Sequence, residues 1–238
     1  MATAQYTVLL TGASRGIGLH LTKHLLLGGK TVYATCRDPS NAKSLQQLKE
    51  EYSEKLIIEA LTVNDEESIK TLVEKLRNNN RTFNVLINNA GIYSTMQKET
   101  LLNSTKSSML GTFEVNCVAP MLITQHLYNA KLLEKNALIV NISSIMGSIQ
   151  GTTQAKRGVS YCCSKAALNM FTKMVSIELP NVCSISVHPG WVITDMGGEN
   201  APVQPDESAS GIVKLIDTFD PKTQNGAFLQ YDGTVLDW

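Results

Sequence analysis

Within its first 27 residues the chain passes from strand to glycine-rich turn to helix, and that succession constrains the fold more than any other feature. Residues 6–10 are a short apolar run of strand type. Thr11-Gly-Ala-Ser-Arg-Gly-Ile-Gly18 follows, and residues 17–27 then carry apolar side chains at helical spacing until Gly28-Gly29. Glycines at 12, 16 and 18 allow a tight turn and a close approach of backbone to a ligand. The helix directs its N-terminal N–H groups and the positive end of its dipole at the same point, which suits a pyrophosphate. The spacing is Gly-x-x-x-Gly-x-Gly, not the commoner Gly-x-Gly-x-x-Gly.

The rest of the chain repeats the alternation. Strands are expected at 31–35, 55–61, 84–88, 137–142, 182–188 and 226–231. Helices are expected from Asp38, read as N-cap with Pro39 in the first turn, and at 65–79, 112–134, 160–179 and 205–218. Alternating elements with short connections imply a parallel sheet covered on both faces. Right-handed crossovers make it a doubly wound, Rossmann-type α/β sheet of about seven strands. With no linker or repeat in view, residues 1–238 read as a single domain. Ligands of such sheets bind outside the carboxyl ends of the strands, at the switch point.

Composition excludes several classes. Lys plus Arg and Asp plus Glu both number 21, so charge gives no argument for a nucleic-acid or anionic-membrane partner. No apolar run approaches the ~20 residues that span a bilayer. The first residues lack a secretory pattern, and a cytoplasmic location is expected. Cys36, Cys117, Cys162, Cys163 and Cys183 match no metal spacing and are expected as free thiols, with Cys162 and Cys163 read as packing residues and not redox centres. His20 and His24 share a helix face, but no third ligand is in view, and no metal is expected.

Tyr161 and Lys165 stand four apart in Tyr-Cys-Cys-Ser-Lys, on one face of a predicted helix. An ammonium beside a phenol favours the phenolate, so the Tyr161 pKa is expected to fall from ~10 toward working pH. Combined with the glycine loop, this pair suggests hydride and proton transfer at a carbonyl/alcohol centre.

The glycine spacing, with Tyr161 and Lys165 far downstream, resembles the short-chain dehydrogenase/reductase family. The resemblance extends over essentially the whole chain. It brings in Asn88-Asn-Ala-Gly91 after the fourth strand, Asn116, Ser143-Ser144 after the fifth strand, and Pro189-Gly190 with Thr194 after the sixth. It implies that Tyr161 protonates the carbonyl oxygen, that Lys165 binds the nicotinamide ribose, and that Ser144 hydrogen-bonds the substrate. Asn116 would hold a relay water. The implied cofactor wall comprises Gly12, Ser14, Arg15, Gly16, Ile17, Gly18, Arg37, Thr62, Val63, Asn89, Ala90, Gly91, Tyr161, Lys165, Pro189, Gly190, Val192 and Thr194.

The cofactor choice turns on the end of the second strand. An acid there would select NAD, but position 36 is Cys36 and Arg37 follows. An arginine suits a ribose 2′-phosphate, so NADP(H) is expected, with Arg15 as a second positive contact. Thr62 stands where the family often has an adenine-contacting Asp.

Within the family, Asn141–Gly151, His188–Gly198 and Tyr231–Trp238 are similar to the sniffer and C-factor-like carbonyl reductases. The likeness implies reduction of reactive carbonyls: aldehydes, ketones, quinones or diketones. Ile145, Met146 and Trp191 are expected to line an apolar substrate pocket, with the loop 152–159 and its Lys156 and Arg157 nearby. Two other readings stay open: an NADP-binding regulatory or signalling protein, and an alcohol dehydrogenase working oxidatively. A homo-oligomer, dimer or tetramer, is compatible with the sequence.

Overall fold

Strands β1 (Thr7–Leu10), β2 (Thr31–Cys36), β3 (Leu56–Ala60), β4 (Phe83–Asn88), β5 (Leu133–Ile142), β6 (Val182–His188) and β7 (Ala227–Gln230) form one sheet. Their order is β3-β2-β1-β4-β5-β6-β7, and every neighbouring pair is parallel. The structure, a computed structural model, describes residues 6–93, 99–153 and 158–238. The order reverses between β1 and β4, which sets the crevice where a doubly wound sheet takes its ligand.

Helices α1 (Gly16–Leu27), α2 (Lys43–Glu51), α3 (Glu66–Asn78), α4 (Lys106–Phe113), α5 (Ala119–Asn129), α6 (Val159–Glu178), α7 (Pro205–Asp217) and α8 (Pro221–Gln224) accompany the sheet, with a π-helical turn at Glu114–Val118 and a 3-10 turn at Ile145–Gly147. Strand alternation sorts the core into two layers. Val8, Leu10, Val32 and Ala34 face α1 and α7, where Leu21, Leu25 and Ile212 pack. Leu9, Tyr33, Leu86 and Phe83 face the other way, toward Ile69 of α3, Leu127 of α5 and Val175 of α6. Both faces are buried under helices, as a parallel sheet requires.

Three local expectations need correction. Asp38 is not an N-cap: α2 starts at Lys43, and the Asp38 carboxylate accepts hydrogen bonds from Ser40 Oγ, Asn41 N and Asn41 Nδ2. An Asp ahead of Pro39-Ser40-Asn41 folds onto the turn that follows it. The helix expected at 112–134 is broken by a π-helical turn at Glu114–Val118. Pro120 has no N–H to give the carbonyl of Asn116, so the helix cannot run through with ordinary bonding. That helix also stops at Asn129, because Leu133 is already paired with Phe83 of β4. The charged stretch Glu134-Lys135 hid the start of β5, whose apolar pairing resumes only at Ala137.

Candidate active site

Loops at the carboxyl ends of β1, β4, β5 and β6 surround one cavity of about 630 Å³, within the usual range for small-molecule sites. Gly12, Ser14, Arg15, Gly16, Ile17 and Gly18 form one wall. A Cβ on Gly18 would stand 2.2 Å from Gly12 O, so only glycine lets α1 start this close to the turn. Asn89 braces the turn from β4, its Nδ2 donating to Thr11 O at 2.9 Å and Gly12 O at 3.1 Å. The backbone N–H groups of Asn89 and Ala90 both donate to Thr11 Oγ1 at 3.0 Å. Ala90 and Gly91 continue this wall, and Pro189, Gly190, Val192 and Thr194 close it from the β6 side.

Cys36 and Arg37 stand where β2 ends, Arg37 with an exposed side chain. Arg15 does not turn toward them: its Nη1 is 2.9 Å from Asp195 Oδ2. Thr62 is not among the lining residues. Its neighbours Leu61, Val63 and Asn64 are, while the Thr62 N–H donates to Ser68 Oγ at 3.0 Å. The residues present fit a dinucleotide. The glycine cradle is one a Cβ would fill, the first turn of α1 holds no acid to repel phosphate, and Arg37 offers a cation at the rim.

Ser144, Tyr161 and Lys165 meet at the other wall. Ser144 follows β5 and its Oγ accepts from Met146 N at 3.1 Å, which sets the short 3-10 turn Ile145–Gly147. Ser143 Oγ instead donates to Asn169 Oδ1 at 2.6 Å, under α6. Lys165 Nζ donates to Ile142 O at 2.8 Å and lies 5.6 Å from the Tyr161 ring centroid. Asn116, fully buried in the π turn, lies behind the wall and not on it. Its Oδ1 accepts from Ile92 N at 2.8 Å, and its Nδ2 donates to Ile92 O at 2.8 Å and Ser164 Oγ at 3.0 Å.

Comparison with known proteins agrees with this geometry. The family model described as short chain dehydrogenase matches residues 6–204. The chain belongs to the short-chain dehydrogenase family. As an oxidoreductase of that family it is 31% identical to an uncharacterized oxidoreductase of Schizosaccharomyces pombe, over 99% of each chain. Among solved structures, an NADPH-bound carbonyl reductase from chicken fatty liver is 37% identical with TM-score 0.88, over 99% of this chain and 100% of that one. The carbonyl reductase Sniffer of D. melanogaster is 34% identical with TM-score 0.90, over 98% and 100%.

For a member of this family the electrostatics of the pair run against the simple expectation. Burial pushes the Tyr161 phenol up to about 12; the hydrogen bond with Ser144 pulls the other way, and Tyr93 and Cys162 add to the rise. Burial pulls the Lys165 ammonium down to about 8. Desolvation governs both groups, and the Lys165 ammonium donates to the Ile142 carbonyl. Burial therefore favours the protonated phenol over the phenolate.

The sequence reading missed Tyr93, whose ring lies 4.9 Å from that of Tyr161 at the cavity wall. Its place two residues after Asn88-Asn-Ala-Gly91 was the available signal. It also missed Ile92 and Val115 on the wall, whereas Asp195 and Met196 fall in the stretch 191–205 expected to line the pocket. Lys156 and Arg157 lie outside the described residues. His20 and His24 both face Asp206, at 3.3 and 3.0 Å, and among the described residues no group of three or more metal-ligating side chains occurs. No disulfide links the five cysteines. No helix of the described residues is long and apolar enough to cross a membrane.

Proposed function

We propose that the protein uses NADPH to reduce reactive carbonyls, with Tyr161 as proton donor. The observation that carries this reading is the meeting of Ser144, Tyr161 and Lys165 on one wall of the cavity whose other wall is the glycine loop. When bound, the nicotinamide supplies the hydride. Tyr161 Oη gives its proton to the carbonyl oxygen, and Ser144 Oγ donates a hydrogen bond to the same oxygen. Lys165 holds the ribose hydroxyls. Its charge then stabilises the phenolate that forms as the proton leaves. Asn116, whose side-chain amide bonds Ile92 and Ser164 at the back of this wall, would hold the relay water. General acid action of this kind contributes typically ~10²–10⁴-fold.

The choice of NADPH over NADH rests on Arg37 at the cavity rim, no acid at position 36, and an Asp38 carboxylate already held by Ser40 and Asn41. The NADPH in the chicken-liver reductase supports the same choice. The protonated phenol that burial favours is the form a reduction uses, and alcohol oxidation uses the phenolate. Ile92, Tyr93, Val115, Ile145, Met146 and Trp191 give the site apolar walls suited to planar or lipid-like carbonyls. Such walls discriminate weakly, by about 1–3 kcal/mol per methylene. The test is NADPH consumption against quinones, diketones, aromatic and lipid-derived aldehydes and small polar ketones. The apolar carbonyls should be consumed fastest, and NADH should support little turnover. No consumption above the Tyr161→Phe background, or a preference for NADH, overturns the reading.

A further inference from the structure

Helix α6 carries Tyr161 in its first turn, yet its own N-cap residue has no side chain to cap it. That residue is Gly158, at φ 77°, in the left-handed region. The position is closed to any other residue: a Cβ there would stand 2.2 Å from Tyr93 Oη. The leading N–H groups of a helix need partners, and a buried helix start without them is costly. Here the partner arrives from a distant segment. Glu99 is 1% exposed. Its Oε2 accepts from the Ser160 N–H at 3.1 Å and from Ser160 Oγ at 2.6 Å. Its Oε1 accepts from Ser108 Oγ of α4, and its own carbonyl accepts from Gly158 N at 2.8 Å. Burial alone would raise the Glu99 carboxyl, but the hydrogen bonds from Ser108, Ser160 and Ser104 outweigh it and hold the group below the usual range. A buried carboxylate so satisfied at a helix N-terminus also complements the helix dipole.

We infer that Glu99 is a positioning residue for the proposed proton donor: by capping α6 from outside, it sets the first turn of that helix and so the place of the Tyr161 hydroxyl against Ser144. Ser160, which Glu99 grips by both main chain and side chain, is the residue immediately before Tyr161. The Glu99 carboxylate bridges α4 and α6, so the helices meet at the point where the phenol must be aimed. Glu99 is not among the residues that line the cavity. Its contribution is register. Misplacing a reacting group by ~1 Å can cost on the order of 10²-fold.

The inference rests on the carbonyl-reductase reading, and one set of variants separates the two. In Glu99→Ala the kcat should fall by up to ~10²-fold, with the dissociation constant for NADPH unchanged. Amide hydrogen exchange over residues 159–163 should quicken while exchange in α1 stays as it was. Glu99→Gln keeps an acceptor for the Ser160 N–H, and the serine hydroxyls can rotate to receive its amide. It should restore most of the lost kcat. Should Glu99→Ala fail to fold, Ser160→Ala, which removes one of the gripped donors, should give a smaller fall of the same kind. Wild-type kcat in Glu99→Ala, or in Ser160→Ala if that variant must serve, overturns the positioning role. A Glu99→Gln variant as impaired as Glu99→Ala also overturns it, because charge and not aim would then be the cause. If the wild type consumes NADPH with no carbonyl, the function reading fails by itself. The exchange measurement still decides whether Glu99 holds the first turn of α6.

Discussion

The two walls of the cavity are built by opposite means. Helix α1 is seated on the sheet by apolar burial: Leu21, Leu25 and Leu26 sink into the layer formed by Val8, Leu10 and Val32. Helix α6 turns a largely polar face to the sheet. Thr172 Oγ1 accepts from Asn141 Nδ2 at 2.9 Å and meets Ser186 Oγ at 2.8 Å, Ser143 bonds Asn169, and Asn88 bonds Asn141 at 2.8 Å. The difference follows from what each helix presents. α1 offers its backbone N-terminus, which tolerates the play that non-directional burial allows. In the proposed reaction α6 offers one particular side-chain atom, Tyr161 Oη, to the reacting oxygen, and directional hydrogen bonds fix its rotation and register.

The largest test of that contrast is Tyr161→Phe. The phenylalanine ring keeps the packing against Tyr93 and removes only the proton donor. NADPH oxidation should fall by ~10²–10⁴-fold, while NADPH affinity, set largely by the glycine loop, Arg37 and the retained Lys165, stays within error in a direct binding titration. A retained kcat breaks the assignment of chemistry to α6. The mirror experiment is Arg37→Ala. Loss of a charge-assisted contact to phosphate is worth about 1.5–3 kcal/mol. NADPH should bind about 10–10²-fold more weakly, NADH should be nearly indifferent, and kcat at saturation should hold. Equal weakening of both cofactors would remove Arg37 from the 2′-phosphate.

The same contrast governs what could be read in advance. The glycine wall was legible because backbone geometry leaves a trace in residue type: a Cβ on Gly18 cannot coexist with Gly12 O, and the spacing Gly12, Gly16, Gly18 records that. Tyr161 and Lys165 were legible because helical periodicity brings positions four apart together. The polar seam under α6 was not. Asn141 and Thr172, or Glu99 and Ser160, meet across 31 and 61 residues with no periodic relation, and each is an unremarkable polar residue in the chain. The direction of the Tyr161 pKa was missed for a related reason. Spacing placed the ammonium near the phenol, but it said nothing of the Ile142 carbonyl to which the ammonium turns, nor of the burial that dominates both groups.

That burial makes the α6 wall costly to stability, and pH can show it. The Lys165 pKa falls on folding from 10.5 to about 8, so between those values the unfolded chain binds more protons than the folded one. Stability arising from this group therefore rises with pH from about 8 to 10.5 and is lost again below it. Lys165→Met removes a desolvation cost of the order of 3 kcal/mol, offset in part by about 1 kcal/mol for the lost bond to the Ile142 carbonyl. The variant should be inactive yet melt a few degrees higher than wild type at neutral pH (about 2–4 °C per kcal/mol in a chain of this size). The gap should close as pH approaches 10.5. Melting curves across that range check the sign; a variant less stable at neutral pH would show that Lys165 is held there favourably.

The smallest expected effect lies where the two walls meet. Arg15 of the glycine loop is paired with Asp195, two highly exposed side chains 2.9 Å apart at the mouth of the cavity. Exposed pairs of this kind couple weakly, by about 0.2–1 kcal/mol. Asp195 nonetheless competes with any anion for the Arg15 guanidinium. Asp195→Asn removes the competing charge while keeping a side chain of the same shape. If Arg15 then turns to the cofactor phosphates, NADPH should bind up to ~5-fold more tightly at low salt. The gain should vanish as added salt screens exposed charges. It should also vanish in the Arg15→Ala/Asp195→Asn double variant, because the released cation is then gone. A gain that survives both controls would come from the loosened segment 190–198, not from charge, and would make the rim's mobility, not its electrostatics, the property that separates the two walls.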